Sequence, residues 1–362
     1  MSKRHYIIPI FVAHEGCPHN CVFCNQDTIT GEENKINAHI AENIIIEHLK
    51  TIKRANAIVE VSFYGGTFTG IEFDLQNELL EVAFKYKQKG MIDKIHLSTR
   101  PDYINKEILD NLKSYSVDVI ELGVQSLDEE VLLKSGRGHS VSDVTNASKL
   151  IKEYGFTLGI QIMIGLPKDT YSKDIATAEK VISLNPDICR IYPALTIKNT
   201  PMEDMFKRKE YIPYTLEEAL EITKTVYSML IANDINVIRI GLQPTEEINE
   251  NAEVIAGPFH PSIRELIESK IYNGIIIDIV NKIAAEEVII TVNNKDISKL
   301  YSNKKKYFYD TINKLSEKII IVKQDTCIDR WHIKFEYEKI CRKISIINYI
   351  KKLYKEGYFH NL

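Results

Sequence analysis

The sequence predicts an α/β protein, built as a partial (β/α)6 barrel with a smaller C-terminal α+β extension. Short runs rich in isoleucine, valine and leucine alternate with amphipathic stretches over the first two thirds of the chain, as in parallel strands covered by helices. The chain has 362 residues, enough for one large α/β domain and an appendage. The predicted strands are Tyr6–Ala13, Val59–Tyr64, Lys94–Thr99, Val117–Gly123, Thr157–Ile164 and Ile188–Leu195.

Amphipathic stretches between and after these strands predict helices. Two of them have capping-box spacing, with a Ser or Thr three residues before a Glu: Ser126 before Glu129, and Thr215 before Glu218. Six βα units are fewer than the eight of a closed barrel, so we expect an open side and a site at the carboxyl ends of the strands. The predicted helices are 38–54, 73–89, 105–114, 127–135, 142–154, 171–183 and 216–233.

We expect three regions along the chain: the barrel at 1–200, an extension at 201–290 and a basic tail of unknown role at 291–362. The last 62 residues contain 14 Lys and Arg but only 7 Asp and Glu, whereas the whole chain carries a net charge of −4. A basic tail on an acidic body fits a polyanionic partner such as RNA, and it also fits a solvated surface. The sequence leaves both open.

The sequence gives no sign of a membrane segment. No stretch approaches 18 uninterrupted apolar residues. The apolar run near the amino terminus is short, contains Pro9 and leads into cysteines, so we interpret it as a first strand and not as an export signal. We therefore expect a cytoplasmic protein with no membrane partner. Disulfides are rare in that compartment, and the scattered Cys189, Cys327 and Cys341 are expected to be small core residues.

Three of the six cysteines, Cys17, Cys21 and Cys24, lie within eight residues of one another. This C-x3-C-x2-C spacing, directly after the first strand, places three thiolates on one tight loop. Such a loop can hold three irons of a [4Fe–4S] cluster and leave the fourth iron open for chemistry. A zinc site would need a fourth ligand, and His19 has an awkward spacing for that role. A ferredoxin-type electron carrier would need a fourth cysteine nearby, and none follows.

The cysteine spacing, with the aromatic Phe23 just before the third cysteine, resembles the radical S-adenosylmethionine (SAM) superfamily. The resemblance implies that SAM chelates the open iron. One electron, from a donor such as ferredoxin or flavodoxin, then splits SAM into methionine and a 5′-deoxyadenosyl radical, which abstracts a substrate hydrogen. In this interpretation the cluster and SAM carry the chemistry, and no side chain is predicted to be catalytic.

Residues at the ends of the following strands resemble the SAM contacts of the same superfamily. The second strand ends in paired glycines, which let a backbone approach a ligand closely, and the resemblance implies that they bind the SAM amino group. Polar residues at the ends of the later strands project toward the same site. The predicted SAM site consists of Phe23, Gly65, Gly66, Thr67, Ser98, Gln125, Arg137, Gln161 and Met163.

These segments resemble the subgroup that contains oxygen-independent coproporphyrinogen oxidase and the catalytic subunit of Elongator. In that subgroup, the residues matching Gln125 and Arg137 contact SAM. The oxidase group has Glu where Ser98 aligns and Asp where Gln161 aligns. Ser and Gln can still bond a ribose, but the change shifts the prediction away from porphyrin chemistry.

The runs Arg137–His139 and Gly257–Pro261 look most like the Elongator-type branch, and the resemblance covers residues 6–290. That branch modifies a tRNA wobble uridine with the help of an acetyltransferase domain. Only 72 residues follow Ile290, with a single glycine, so we expect that domain to be lacking. Three hypotheses remain: an Elongator-like enzyme acting on tRNA, a radical SAM enzyme acting on a small molecule, peptide or porphyrin, and a non-catalytic iron–sulfur or haem-handling protein.

Overall fold

The computed structural model describes residues 4–12, 17, 19–25, 36–53, 55–242 and 253–357. The chain forms two compact units. The first consists of residues 1–213 and 242–259, and the second of 214–241 and 260–362. The functional boundaries expected at residues 200 and 290 stay predictions.

The first unit contains six parallel strands that lie in sequence order, each paired with the next. All six predicted strands are present, with ends that differ by a few residues. The first strand is an edge of the sheet, as expected for an open barrel, so the predicted fold class is confirmed. The strands are β1 (Arg4–Val12), β2 (Ala57–Gly65), β3 (Lys94–Thr99), β4 (Val119–Gln125), β5 (Thr157–Ile164) and β6 (Ile188–Pro193).

Helices connect the strands, and most of them begin at a polar side chain that caps the first turn. The helix predicted at 127–135 begins later, because the Asp128 side chain accepts from the Val131 N–H at 3.1 Å. The capping box expected at Ser126 is therefore wrong, and a capping box occurs at Ser140 instead. The helices of this unit are Ala38–Thr51, Phe73–Gln88, Lys106–Ser114, Glu129–Lys134, Val141–Glu153, Tyr171–Leu184 and Pro201–Lys207.

The central strands alternate between apolar and polar side chains. In β2, Val59, Val61 and Phe63 are fully buried and apolar. The alternate residues Glu60 and Ser62 are also buried, although they are polar. Because successive side chains point to opposite faces of a sheet, one face packs an apolar core while the other encloses a polar interior.

The second unit combines helices with a small mixed sheet. Its first helix, Leu216–Ala232, begins with the predicted capping box of Thr215 and Glu218, which is confirmed. The region predicted as a basic tail supplies three of the four strands of the sheet. In spatial order these strands are Ile319–Gln324, Glu287–Val292, His332–Tyr337 and Ile340–Ser345. The other elements are Asn236–Ile240, Ile263–Val280, Ile297–Tyr301, Lys306–Lys314 and Ile346–Glu356.

The scattered cysteines differ in their surroundings. Cys189 lies in the core, as expected, whereas Cys327 and Cys341 are exposed, so the expectation of core packing is wrong for these two. Both lie in the second unit, where a short sheet leaves strand ends and turns at the surface. No helix in the described part of the chain combines the length and the apolar character needed to span a bilayer.

Candidate cofactor site

The three clustered cysteines lie on a short loop beyond the carboxyl end of β1. Cys21 is buried, and Cys17 and Cys24 are half-buried. The Cys24 N–H donates to the Cys21 carbonyl at 3.0 Å, which closes a tight turn between these two cysteines. The turn brings two of the predicted ligands close together in the chain and leaves the loop partly open on one side.

The cysteine loop is anchored by hydrogen bonds to later segments of the first unit. The Val22 N–H donates to the Ser135 carbonyl at 3.0 Å, and the Met202 N–H donates to the Val22 carbonyl at 2.8 Å. The Asn25 side-chain amide donates to a third carbonyl, at Lys198, at 3.1 Å. These bonds fix the loop without using any cysteine sulfur.

Two predicted SAM contacts, Phe23 and Met163, lie in one apolar cluster beside the loop. An apolar cluster excludes water, and electrostatic interactions beside it are stronger because water no longer screens them. The structure therefore brings together an aromatic residue of the cysteine loop and a residue of β5, as the predicted site requires. The buried members of the cluster are Val131, Leu166, Ala194, Met202 and Tyr211.

Arg137 connects the cysteine loop to the end of β4. Its Nη1 donates to the Cys21 sulfur at 3.3 Å, and its Nη2 donates to the Gly123 carbonyl. A Cβ at Gly123 would lie 3.2 Å from Arg137 Nη2, so a glycine leaves room for the guanidinium.

Gln125 has an unusual backbone at the end of β4. Its φ is 68°, in the left-handed region, and the pairing of β4 with β5 contains a bulge between Gly123 and Gln125. Bulges re-aim side chains and are common next to active sites. The side chain is buried, and its Oε1 has no hydrogen-bond partner among the described residues. A left-handed backbone at a residue other than glycine is strained, and such strain clusters at functional sites.

Four of the buried polar atoms that have no partner among the described residues lie on Arg100, Gln125, Arg137 and His139. Arg100 Nη1 follows β3, Gln125 Oε1 lies at the end of β4, and Arg137 Nε and His139 Nδ1 follow the helix Glu129–Lys134. Buried polar groups are normally hydrogen-bonded, so each of these atoms calls for a ligand or water. The Arg137 guanidinium suits a carboxylate, and the Gln125 amide oxygen suits an ammonium group. This donor and acceptor set fits the amino-acid end of SAM.

The glycine motif lies against the end of β1. Gly65 has a φ of 103°, and a Cβ there would lie 3.3 Å from the Val12 carbonyl oxygen. The Gly66 N–H donates to that same carbonyl at 2.7 Å. Thr67, the next residue, is buried. The motif therefore lies at the strand that leads into the cysteine loop, and its contact with SAM stays a prediction.

Ser98 and Gln161 are both half-buried and lie on strands of the sheet. The sheet register pairs Ser98 with Glu121, and it pairs Gln161 with Gly123. Gln161 is therefore level with the glycine whose carbonyl accepts from Arg137. The register supports the placement of Ser98 and Gln161 near one end of the sheet, and their bonds to a ribose stay a prediction.

His139 follows Arg137 closely in the chain and is buried. Burial, followed by the charges of Arg137 and Arg100, lowers the pKa of His139 to about 3. The imidazole is therefore neutral at ordinary pH. Its Nε2 lies 3.2 Å from the Val124 carbonyl, which can only accept, so Nε2 carries the hydrogen and Nδ1 is an acceptor.

Sequence reasoning missed a charged network inside the barrel. His96 Nδ1 bonds Glu60 at 2.8 Å, and its Nε2 lies 3.5 Å from Glu121. Burial would lower the pKa of His96, but the two carboxylates raise it to about 9. Burial would also raise the pKa of Glu60, but His96, with smaller contributions from neighbouring side chains, lowers it to about 2. All three residues are therefore charged near neutral pH.

Arg190 extends this network across the barrel. Its Nε donates to Glu121 at 2.8 Å, and its Nη2 donates to the Tyr64 hydroxyl at 2.8 Å. Arg190 belongs to β6 and Tyr64 to β2, so the network joins strands that are far apart in the sheet. The available signal was a polar residue at alternate positions of apolar strands, namely Glu60, Glu121 and Arg190.

In the described ranges, no three His, Cys, Asp or Glu side chains lie close enough together to hold a single metal ion. Each cysteine of a [4Fe–4S] cluster binds a different iron, so its sulfurs lie farther apart than the ligands of one ion. The finding therefore concerns single-ion sites, and the three cysteines stay the predicted cluster ligands.

A cysteine loop after the first strand of an open parallel barrel, beside buried and unpaired polar atoms, is the arrangement of a barrel enzyme with a metal-linked cofactor. Family comparison gives the class more narrowly. Residues 11–181 match the Radical SAM superfamily, and residues 186–273 match the Radical SAM C-terminal domain. The chain belongs to the radical SAM superfamily and is an enzyme of that superfamily.

Similar proteins come from archaea and eukaryotes. The tRNA uridine(34) acetyltransferase of Methanocaldococcus infernus is 26% identical over 263 residues, covering 62% of this chain and 49% of the relative. An uncharacterized protein of Methanocaldococcus jannaschii is 30% identical over 227 residues, covering 60% of this chain and 69% of the relative. Human Elongator complex protein 3 is 27% identical over 206 residues, covering 51% of this chain and 38% of the relative.

A solved structure of the archaeal Methanocaldococcus infernus Elp3, with an N-terminal deletion, shares the fold. It superposes with a TM-score of 0.61 at 22% identity, covering 75% of this chain and 63% of that chain. The chain spans about half the length of the acetyltransferase relatives that it matches. The predicted membership of the superfamily and its Elongator-containing subgroup is confirmed.

We expect Gly138→Ala to disturb the cysteine loop. Gly138 has a φ of 75°, and a Cβ there would lie 2.4 Å from the His19 ring. Left-handed strain alone costs about 1–3 kcal/mol, and the clash moves His19, which lies between two cysteines. The expected result is a lower urea midpoint and less iron retained after anaerobic reconstitution with iron and sulfide.

Gly90→Ala is the matched control, because Gly90 has a φ of 66° and no atom within 4 Å of the added Cβ. It carries the same strain without the clash. The double variant His19→Ala, Gly138→Ala should recover iron retention. Equal behaviour of Gly138→Ala and Gly90→Ala would show that the loop does not depend on the glycine.

Proposed function

We propose that the protein holds a [4Fe–4S] cluster on Cys17, Cys21 and Cys24, cleaves SAM reductively and modifies tRNA in an Elongator-like reaction. When bound, such a cluster would supply the electron for the cleavage of SAM to methionine and a 5′-deoxyadenosyl radical, which would serve for hydrogen abstraction. The electron comes from a donor such as ferredoxin or flavodoxin. The side chains described above bind, orient and shield the cofactor.

The observation that carries this proposal is the position of Arg137. One guanidinium nitrogen contacts the Cys21 sulfur while another contacts the end of β4, beside the unpaired Gln125. A ligand there would be close to both the cluster and the polar atoms that bind its amino-acid end. A structural zinc loop would have no use for a buried arginine and an unpaired amide at its edge.

The remaining predicted contacts have distinct roles in this proposal. The backbone at Gly65 and Gly66, with Thr67, binds the SAM amino group. Ser98 and Gln161 orient the ribose. Phe23 and Met163 exclude water from the loop, which protects a reactive radical from side reactions.

tRNA is the proposed substrate, because the similar proteins with known activities are named for tRNA uridine chemistry or for Elongator. The basic region supports it. Lys304, Lys305 and Lys306 are exposed at the start of the helix Lys306–Lys314. A run of exposed lysines attracts phosphates, and such attraction weakens steeply with salt.

Two other functions use the same site. A small molecule, peptide or porphyrin could replace tRNA as the substrate, since the described barrel interior contains polar groups that suit many ligands. A non-catalytic iron–sulfur or haem-handling protein would need the cysteines but not the SAM contacts. The unpaired atoms on Gln125 and Arg137 favour a SAM-using enzyme over that function.

The test of the proposed function is an anaerobic SAM-cleavage assay. The protein is reconstituted with iron and sulfide and reduced, and 5′-deoxyadenosine is measured with and without a tRNA transcript. We expect cleavage that tRNA stimulates. Cleavage without stimulation by tRNA would favour a different substrate. Cluster binding with no cleavage under either condition would favour the non-catalytic function.

We expect the triple variant Lys304→Ala, Lys305→Ala, Lys306→Ala to bind tRNA more weakly. The binding constant falls as salt rises, and each lost phosphate contact makes the slope of log K against log salt less steep by about 1. Binding is measured at several salt concentrations. The triple arginine variant keeps the charges and should bind like the native protein. If the alanine variant shows native affinity and an unchanged slope, these lysines do not contact RNA.

A further inference from the structure

Arg100 is a buried arginine with one unused end. It follows β3 and is 3% exposed. Its Nε and Nη2 donate to the Asp102 carboxylate at 3.0 and 2.9 Å. Its Nη1 is buried and has no hydrogen-bond partner among the described residues. The guanidinium is thus held firmly along one edge, while its third nitrogen is available to a ligand.

The chain at Arg100 lies beside the arginine that contacts the cysteine loop. Thr99, the residue before Arg100, pairs with Leu122, and a Cβ at Gly123 would lie 3.6 Å from the Thr99 carbonyl oxygen and 3.2 Å from Arg137 Nη2. Arg137 Nη1 in turn donates to the Cys21 sulfur.

Burial would lower the pKa of Arg100, but the bond and charge of Asp102, followed by the charges of Cys17 and Cys21, raise it. The charge of Arg100 also lowers the pKa of His139, although the charge of Arg137 has the larger effect. The two arginines therefore act on the same small region.

The pairing among the described residues leaves Arg100 incompletely satisfied. The side chain of Asp102 is 21% exposed, so water weakens its compensation of the buried cation. A buried charged donor without a partner costs free energy. An anion at the cysteine loop would satisfy Nη1 and balance the charge. Arg137 already contacts Cys21, so Arg100 adds a second positive charge near that arginine.

We propose that Arg100 is a positioning residue that stabilises the reduced state of the iron–sulfur cluster bound by Cys17, Cys21 and Cys24. The inference rests on the proposed function, since it requires that cluster. Three thiolates give the cluster a negative charge, and one-electron reduction makes it more negative. A fixed cation nearby favours the added electron, and a hydrogen bond to a cluster sulfur acts in the same direction.

The role predicts opposite effects from neighbouring substitutions. Arg100→Gln removes the cation and should lower the midpoint potential of the cluster. Asp102→Asn removes an anion beside the same cation and should raise it. Arg100→Lys keeps the charge and should stay nearer to the native value. For Arg100→Gln we expect about a tenfold loss of preference for the reduced form, which is about 59 mV for a one-electron couple.

The experiment is an anaerobic redox titration without SAM, in which the reduced cluster is followed by electron paramagnetic resonance. Iron content and circular dichroism are measured on each variant. Arg208→Gln is the matched control, because Arg208 makes the same two-bond contact with a carboxylate two residues on, Glu210, but at an exposed position. We expect the control to keep the native potential.

The outcomes separate this inference from the proposed function. If the native protein binds no cluster, both this inference and the proposed function are wrong. An unchanged potential in Arg100→Gln with full iron content overturns the inference alone, as does loss of SAM binding without a change in potential. If Arg100→Gln does not fold, Asp102→Asn decides: a raised potential supports the inference, and an unchanged one overturns it.

Discussion

Replacing Cys21 by serine is expected to abolish cluster retention and reductive SAM cleavage. Cys21 is 4% exposed, and its sulfur accepts from Arg137 at 3.3 Å. A serine oxygen at this position is a poor ligand for iron and leaves the arginine without its sulfur partner. The measurements are iron and sulfide per chain after anaerobic reconstitution, and 5′-deoxyadenosine formed from SAM after reduction.

Cys327→Ser is the control for this substitution. Cys327 is an exposed cysteine in the second unit, so its loss should leave iron content and SAM cleavage at native levels. Full iron retention in Cys21→Ser, together with native cleavage, would exclude Cys21 as a cluster ligand. Equal losses in both variants would point to nonspecific oxidation or poor reconstitution and would remove the support for a three-cysteine site.

Replacing Glu121 by alanine is expected to destabilise the protein strongly. Glu121 is buried between His96 and Arg190, and both positive groups lose their shared carboxylate. Breaking a buried ion pair by removing one partner costs about 3–5 kcal/mol, because an uncompensated charge stays inside. The free energy of unfolding is measured by urea denaturation.

Glu210→Ala is the matched control for Glu121→Ala. Glu210 also pairs with an arginine, Arg208, but both side chains are exposed. Exposed pairs contribute little because water screens them, so this variant should unfold near the native midpoint. If Glu121→Ala were as mild as Glu210→Ala, the barrel network would not stabilise the fold.

The network around Glu121, which includes His96 and Glu60, makes the free energy of unfolding depend on pH. His96 has a folded pKa of about 9, above its usual 6.5, so its contribution is complete below pH 6.5 and is lost as pH rises through 9. Glu60 has a folded pKa of about 2, below its usual 4.5, so its contribution is complete above pH 4.5 and is lost as pH falls through 2. Both contributions are complete between pH 4.5 and 6.5. Glu121→Ala should reduce the loss at alkaline pH.

The sequence predicted local structure well where the residue types of a short segment determine that structure. Apolar runs predicted all six strands of the barrel, because parallel strands covered by helices are apolar along most of their length. Closely spaced cysteines and paired glycines predict a cofactor site at the ends of β1 and β2, and that site stays a prediction. Helix ends were harder: Ser126 and Asp128 both suit a cap, and the structure uses Asp128.

The rest of the site depends on how distant segments meet. Glu60, Glu121 and Arg190 are single polar residues within apolar strands, and only closure of the sheet brings Arg190 to Tyr64. The left-handed backbone of Gln125 arises from a bulge in strand pairing, which local sequence does not specify. Arg100 has no distinguishing local pattern, because its burial and its unused nitrogen arise only in the folded chain.

The proposed function depends on three cysteines that hold a four-iron cluster with one iron open to SAM. Mössbauer spectroscopy of protein reconstituted with isotopically labelled iron tests it most directly. We predict four irons per chain in one cluster, and a change at a single iron when SAM is added. A two-iron cluster, or a four-iron cluster in which SAM changes no iron, would contradict the account.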